Sequence, residues 1–137
     1  MSTPDDSAHP HDGAVLGRLV LTSDFDAPSA ARRFVRDALA AVGRTALEAD
    51  GALVVSELVT NVVVHTACPE LTVTVELTPA GVSIAVEDCN IAPVTIEASA
   101  DLGQARRGLR LIDAVSECWA SEATSHGKRV WVELADP

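Results

Sequence analysis

The spacing of apolar residues changes several times along the chain, and each spacing predicts a type of secondary structure. Short runs in which apolar and polar residues alternate, bounded by Gly, Pro, Ser or Asp, are typical of β-strands. Pro79-Ala80-Gly81 and Ser125-His126-Gly127 each separate two such runs, which predicts two hairpins. The predicted strands cover residues 16–22, 71–78, 82–86, 118–123 and 128–134.

Longer segments with apolar residues three and four positions apart predict helices. Asp26-Ala27-Pro28 provides an N-cap residue and an early proline, so a helix is expected to begin there and to run to about Val42. Gly43 then separates it from a longer helix at about 44–66, which ends before Cys68-Pro69. A third helix is expected at about 108–115, after an aperiodic stretch at 89–107.

The predicted order is therefore β-α-α-β-β-α-β-β, which indicates an α+β fold. We expect a two-layer α/β sandwich, with a mixed, mostly antiparallel sheet and helices on one face. Residues 1–14 are rich in Asp, Ser, Pro and His and have no periodicity, so they are expected to form a disordered acidic tail. Residues 15–137 then form one domain.

Composition narrows the classes of function. A chain of 137 residues with 47% hydrophobic content can bury a core, and its apolar runs are too short to cross a bilayer. The first residues resemble no secretory signal, so a cytoplasmic protein is expected. Twenty acidic and ten basic residues give a net charge of -10, which argues against direct binding of nucleic acid.

The three cysteines, Cys68, Cys89 and Cys118, are odd in number and form no C-x-x-C pair. This pattern supports neither a disulfide framework nor a zinc site, so all three are expected to be reduced thiols. His9 and His11 could bind a metal, but a flexible tail is a poor place for a metal site. Trp131 is expected in the core.

A polar stripe on the long helix is the strongest candidate for chemistry. Glu57, Asn61 and His65 are spaced by four residues and therefore lie on one side of the helix, beside an apolar face that includes Leu58 and Val62. Such a stripe is either solvated surface or the wall of a site. Taken by itself, the pattern favours solvated surface.

Two further segments change this interpretation, although the common phosphate-binding loops G-x-x-x-x-G-K-[ST] and G-x-G-x-x-G are absent. One segment is Asp88-Cys89-Asn90-Ile91-Ala92-Pro93, and the other begins Arg106-Arg107-Gly108-Leu109-Arg110. With Glu57-Leu58-Val59-Thr60-Asn61-Val62-Val63-Val64-His65, they resemble the N, G1 and G2 boxes of the ATPase superfamily that joins gyrase, heat-shock chaperone, mismatch-repair and histidine kinase domains. The chain size and the final Gly127-Lys128-Arg129-Val130-Trp131 resemble its anti-sigma factor serine kinase branch.

The resemblance implies roles for residues of the helix stripe. Asn61 matches the residue whose side-chain oxygen holds the Mg²⁺ that bridges the phosphates of ATP, and Mg²⁺ does prefer a few hard oxygen ligands. Glu57 matches the general base that accepts the proton of the attacking hydroxyl, mainly by orienting it. His65 is expected to line the rim or to pack.

The other two boxes imply the nucleotide contacts. Asp88 matches the carboxylate that accepts a hydrogen bond from the adenine amino group, although an Asp at a strand end is also common turn chemistry. Asn90 stands where the family has Gly, and Asn tolerates a positive φ better than other residues. Arg107, Gly108 and Leu109 match the start of the helix whose backbone N–H groups meet the phosphates.

Two more positions depart from the family pattern. Arg106 replaces the first glycine of a G-x-G pair, and Arg129 replaces a Thr that contributes to the adenine site. Arginines at a helix N-terminus oppose the helix dipole, so Arg106, Arg107 and Arg110 indicate a nearby anion. That anion is either a triphosphate or the carboxylates of Glu97, Asp101 and Asp113.

The resemblance therefore implies an ATP- and Mg²⁺-dependent serine/threonine protein kinase of the anti-sigma type. Its expected partners are a sigma factor, an antagonist protein, or both, and a homodimer is expected. The alternative is a degenerate nucleotide-binding module that regulates a partner by sequestration alone, which the substitutions at Asn90, Arg106 and Arg129 favour. An isolated ATP hydrolase or a histidine kinase fragment is less consistent with a chain that carries no dimerisation helices.

Overall fold

The fold is known from a computed structural model that describes residues 14–90, 116 and 118–137. Five strands, two α-helices and one short 3₁₀ helix make up this part of the chain. In chain order they are β1 (Val15–Thr22), α1 (Ala27–Ala41), the 3₁₀ helix (Thr45–Leu47), α2 (Glu48–His65), β2 (Glu70–Leu77), β3 (Gly81–Asp88), β4 (Cys118–Ala123) and β5 (Lys128–Ala135). The predicted helix at 108–115 and the predicted tail at 1–14, except for Ala14, lie outside the described residues.

The strands form one sheet in the order β1-β2-β3-β5-β4. Each of the four pairings is antiparallel, so the sheet expected to be mixed is antiparallel throughout its described strands. The two predicted hairpins are confirmed as β2–β3 and β4–β5. The central pairing of β3 with β5 joins them and places Asp88 opposite Lys128.

Strand alternation divides the sheet into two different faces. One face carries Val73, Val75, Ile84 and Val132, which are fully buried beneath the helices. This confirms a two-layer α+β fold with the helices on one face. The other face carries polar side chains and Trp131, which is buried at 9% exposure. The expectation that Trp131 is a buried core residue is confirmed, although it lies on the face opposite its neighbours Val130 and Val132 and outside their cluster.

The two helices pack against each other and against the sheet. Gly51 of α2 lets α1 approach closely, because a Cβ at this position would lie 3.0 Å from Leu39 and 3.1 Å from Val35. The helix α1 begins where predicted, with Pro28 in its first turn, but Asp26 makes no side-chain cap. Instead Asp24 Oδ1 accepts a hydrogen bond from the backbone N–H of Asp26 at 3.0 Å.

Both ends of α2 are set by local chemistry. Gly43 adopts a positive φ of 73° after α1, and the 3₁₀ helix then leads into α2, which begins four residues later than predicted, at Glu48. At the other end, Thr66 Oγ1 donates to the Val62 carbonyl at 2.7 Å and accepts from the Cys68 N–H at 3.2 Å. This cap turns the chain out of the helix toward β2.

Among the described residues, no helix combines the length and apolar character that a membrane span requires.

Candidate functional site

The polar stripe lies on α2 as predicted. Glu57 and Asn61 are half-buried and His65 is exposed, while Leu58 and Val62 point into the core at 4% exposure. The side chains of Glu57 and Asn61 form no hydrogen bond or ion pair within the described part of the chain. A carboxylate and a carboxamide one helical turn apart are therefore held by a buried helix face and left available to a ligand.

The segment that carries Glu57 is anchored from the neighbouring helix. Arg32 Nη1 of α1 donates a hydrogen bond to Oγ of Ser56 at 2.9 Å, and this contact is partly buried. Ser56 precedes Glu57 directly. The contact therefore restrains the rotation of α2 about its axis and, with it, the direction of the stripe.

The end of β3 has the opposite character, because each oxygen of the Asp88 carboxylate already accepts a hydrogen bond. Asp88 has a side chain only 2% exposed, and its Oδ2 accepts a hydrogen bond from Lys128 Nζ at 2.8 Å. The Lys128 side chain is itself 7% exposed. Oδ1 of Asp88 accepts from the backbone N–H of Asn90 at 2.8 Å. Asp88 is thus a buried, paired anion at the point where the strand ends.

The turn after Asp88 is closed without a positive φ. Among the described residues, no residue other than glycine adopts a positive φ, so Asn90 does not use the left-handed conformation that was expected to preserve the turn. The hydrogen bond from Asn90 N–H to Asp88 Oδ1 shapes the turn instead. Gly127 packs against this turn, since a Cβ there would overlap the backbone of Asp88 and Cys89.

A disulfide bond joins the two regions. Cys68 and Cys89 are bonded, with their Cα atoms 5.6 Å apart, whereas Cys118 is an exposed thiol outside the disulfide. The expectation of three reduced thiols is therefore wrong for two of them. The number and spacing of the cysteines do not predict this pair, because only the fold brings the two residues together. Cys68 lies just after α2, and Cys89 lies just after β3.

This bond also locates Asp88 relative to the stripe. Cys68 follows His65 by three residues, and Cys89 follows Asp88 directly. The carboxyl end of α2 and the end of β3 therefore meet at one edge of the domain. The structure thus brings together two of the three segments whose combination suggested a nucleotide site.

Arg129 does not belong to this arrangement. Its guanidinium lies 4.0 Å from Glu76 and 4.0 Å from Glu87 on the sheet face away from the helices. Successive side chains of a strand point to opposite faces, so Arg129 and Lys128 cannot both face Asp88. The position of Arg129 therefore gives no support to its predicted cofactor contact, which stays a prediction, and the neighbouring Lys128 takes the position beside Asp88.

Lys128 is the polar residue that the sequence analysis missed. Lys128 begins β5 and lies opposite Asp88, the last residue of β3, in a pairing that the two predicted hairpins did not include. Arg106, Arg107, Gly108, Leu109 and Arg110 lie outside the described residues. Within the described part of the chain, no cluster of three or more His, Cys, Asp or Glu side chains could hold a metal ion.

The fold and the site define a two-layer domain with a polar stripe on a buried helix and an acidic strand end beside it. Comparison with known families is consistent with this class: the family described as "Histidine kinase-like ATPase domain" matches residues 21–134. The match covers most of the chain. The protein therefore belongs to the histidine kinase-like ATPase domain family.

A solved structure shares the fold. It is described as the crystal structure of the RsbU and RsbW domains of Rv1364c from Mycobacterium tuberculosis, and it is similar with a TM-score of 0.63 at 21% sequence identity. The similarity covers 88% of the present chain and 33% of that chain, so the protein spans about a third of this neighbour. No curated protein matches the sequence.

Proposed function

We propose that this protein binds ATP with Mg²⁺ at the edge where α2 meets the end of β3, and that it phosphorylates a serine or threonine of an antagonist protein. In this proposal it is an anti-sigma-type regulator that acts on transcription through protein–protein binding. Membership of the histidine kinase-like ATPase domain family supports nucleotide binding. The RsbW domain in the similar structure suggests the anti-sigma branch.

One observation carries the proposal. Glu57 and Asn61 are fixed on a helix whose apolar face is buried, yet they have no partner within the described part of the chain. On a helix that needed them only for solubility, such side chains would be exposed like His65. The polar atoms of Glu57 and Asn61 are not among the buried atoms without a hydrogen-bond partner, so they are open to water and to a ligand.

The donor set fits Mg²⁺. The ion usually takes one or two protein oxygens and completes its shell with phosphate oxygens and water, so the Asn61 side-chain oxygen is sufficient as a protein ligand. Bound Mg²⁺·ATP would supply the phosphoryl group and neutralise charge on its oxygens. The absence of a larger acidic cluster among the described residues is compatible with this mode of binding.

Glu57 is the proposed catalytic residue. Its carboxylate would accept a hydrogen bond from the hydroxyl of the protein substrate and orient that hydroxyl for attack, taking its proton as the new bond forms. Burial of Leu58 and the anchor at Ser56 restrict the movement of the backbone beneath it. The proposed phosphate contacts at Arg107, Gly108 and Leu109 remain predictions from the sequence.

The adenine contact is proposed for Asp88, with Asn90 closing the turn. Two of the lone-pair positions of the Asp88 carboxylate are already used, by Asn90 N–H and by Lys128 Nζ. A carboxylate has about four such positions, so Asp88 can still accept a hydrogen bond from the adenine amino group. Lys128 and the Asn90 backbone then fix the direction in which the carboxylate points.

The same ion pair favours a second candidate function. If Lys128 keeps Asp88 from a nucleotide, the domain would be a degenerate module that regulates its partner by sequestration alone. The partners proposed in either case are a sigma factor, its antagonist, or both. A homodimer in the cytoplasm is proposed on the same basis of family resemblance.

Calorimetric titration of ATP with and without Mg²⁺ separates the two functions. We expect Mg²⁺ to tighten binding to the wild type, and we expect Asn61→Ala to abolish that effect. His65→Ala is the matched control, because it changes an exposed residue of the same stripe one turn further along. Binding weaker than millimolar, with no effect of Mg²⁺, would leave sequestration as the function.

Phosphotransfer to candidate antagonist proteins then tests catalysis. Glu57→Ala should lower the rate by about 10²- to 10⁴-fold, the usual contribution of a general base, without weakening ATP binding by more than about twofold. Arg129→Thr, on the other face of the sheet, should change neither ATP affinity nor rate. Transfer undiminished in Glu57→Ala would remove Glu57 from the mechanism.

A further inference from the structure

We propose that the Cys68–Cys89 disulfide is a thiol-exchange site, at which a low-molecular-weight thiol reversibly releases the end of β3. The bond closes a 21-residue separation and is one residue away from Asp88. We also expect thiol exchange to change the affinity for the nucleotide, and this part of the inference rests on the proposed function. The exchange reaction itself does not depend on the proposed function.

The two cysteines differ in accessibility. Cys89 is exposed, whereas Cys68 is 5% exposed and belongs to the core cluster. The solvent-exposed side of the disulfide is therefore that of Cys89. Since exchange requires an approach to one sulfur, the attack is directed to Cys89 Sγ.

The leaving group is stabilised in place. The backbone N–H of Cys89 donates a hydrogen bond to Cys68 Sγ at 3.0 Å. When the disulfide breaks, the electron pair of that bond remains on Cys68 Sγ, and a hydrogen bond to a developing thiolate favours its departure. The chain thus provides both an accessible sulfur to attack and a stabilised sulfur to leave.

Reduction of the disulfide consumes two equivalents of the low-molecular-weight thiol. The first thiolate forms a bond with Cys89 Sγ and releases Cys68 as a thiolate. The second thiolate attacks the sulfur of the first reagent molecule, which releases Cys89 and forms the reagent disulfide. Two protons from the reagent thiols end on Cys68 and Cys89, and two electrons pass from the reagent to the protein.

Reduction removes a covalent link at the candidate nucleotide edge. The Cys68 side is held by the Thr66 cap at the end of α2, and the Cys89 side lies between Asp88 and Asn90, whose N–H binds the Asp88 carboxylate. With the bond intact, the end of β3 is tied to the end of α2. Once it is reduced, hydrogen bonds and the ion pair with Lys128 alone hold Asp88.

Thiol counting and thermal melting test the exchange site. Purified wild-type protein, denatured without reductant, should show one thiol, Cys118, and three after treatment with dithiothreitol. Reduction should lower Tm by about 10 °C, as expected for loss of a cross-link of this span. Cys118→Ser should show the same shift, and Cys68→Ser/Cys89→Ser should show none.

Three thiols in the untreated protein would overturn the proposal. So would a Tm shift on reduction that persists in Cys68→Ser/Cys89→Ser, because the shift would then come from elsewhere.

A second experiment compares the ATP affinity of the oxidised wild-type protein with that of the reduced wild-type protein. We expect a change of at least about fivefold, and an equal affinity in both states would overturn the coupling to the site. If neither state binds ATP, the proposed function fails, while thiol counting and melting still decide whether Cys68–Cys89 exchanges.

Discussion

The stripe on α2 and the end of β3 are both polar, but their side chains are satisfied in opposite ways. Glu57 and Asn61 stand on a buried helix without a partner within the described residues, whereas Asp88 is buried with both oxygens engaged. A buried carboxylate must be paired to be tolerated, so the end of β3 contributes to the stability of the folded state. The half-buried side chains of the stripe need no protein partner in the absence of a ligand, since water still reaches them.

Within one site, the end of β3 therefore contributes mainly to stability, and the stripe on α2 contributes mainly to function. Removing a partner at the end of β3 should unfold the protein before it reveals a functional role. Removing a side chain from the stripe should change function with little effect on stability. The following variants test that separation, from the largest expected effect to the smallest.

Lys128→Met should be the most destabilising change. It leaves the Asp88 carboxylate buried without its cation, and loss of one partner of a buried pair costs about 3–5 kcal/mol of unfolding free energy. Urea denaturation measures the loss. Arg44→Met is the control, because Arg44 forms an exposed ion pair with Asp136 and should lose about 1 kcal/mol or less.

Asp88→Asn combined with Lys128→Met should recover at least half of that loss, since no unpaired charge is left. If Lys128→Met unfolds at the same urea concentration as the wild type, the end of β3 is not held by this pair and the contrast between the two regions disappears.

Gly127→Ala should have an intermediate effect. A Cβ at this position meets the backbone of Asp88 and Cys89, which cannot move aside as a flexible side chain could. Overpacking of this kind costs about 1–3 kcal/mol. Ser125→Ala in the same turn is exposed and should stay within about 0.5 kcal/mol of the wild type. Equal stability of the two variants would show that the turn is loosely packed.

Asn61→Ala should have the smallest effect on stability, within about 0.5 kcal/mol, because no hydrogen bond within the described residues is lost. Val62→Ala, the next residue of the same helix, is the matched control. Its side chain is 4% exposed in the core, so truncation should cost roughly 2 kcal/mol. A loss in Asn61→Ala as large as that in Val62→Ala would mean that the stripe is structural.

Much of the fold followed from the sequence because each element carries a local signal. The hairpins β2–β3 and β4–β5 have alternating apolar residues and turn residues between them, and both are confirmed. The long helix was expected from its period, although its start was placed too early because the 3₁₀ helix at Thr45–Leu47 has no sequence signal distinct from α-helix.

The candidate site was only partly accessible to the same reasoning. The stripe of Glu57 and Asn61 was visible because four-residue spacing on a helix is a local property. The cofactor role of Arg129 was assigned by position in a motif, which does not state the face of the strand. Register shows that Lys128 shares a face with Asp88 and that Arg129 does not.

The sequence by itself determined the succession of elements, the apolar face of each and the polar stripe on α2, because helix and strand periods act over a few residues. The tertiary structure alone decided which distant groups meet. Cys68 and Cys89 are 21 residues apart, and Asp88 and Lys128 are 40 apart. These contacts depend on the order and register of the strands, which no local pattern encodes.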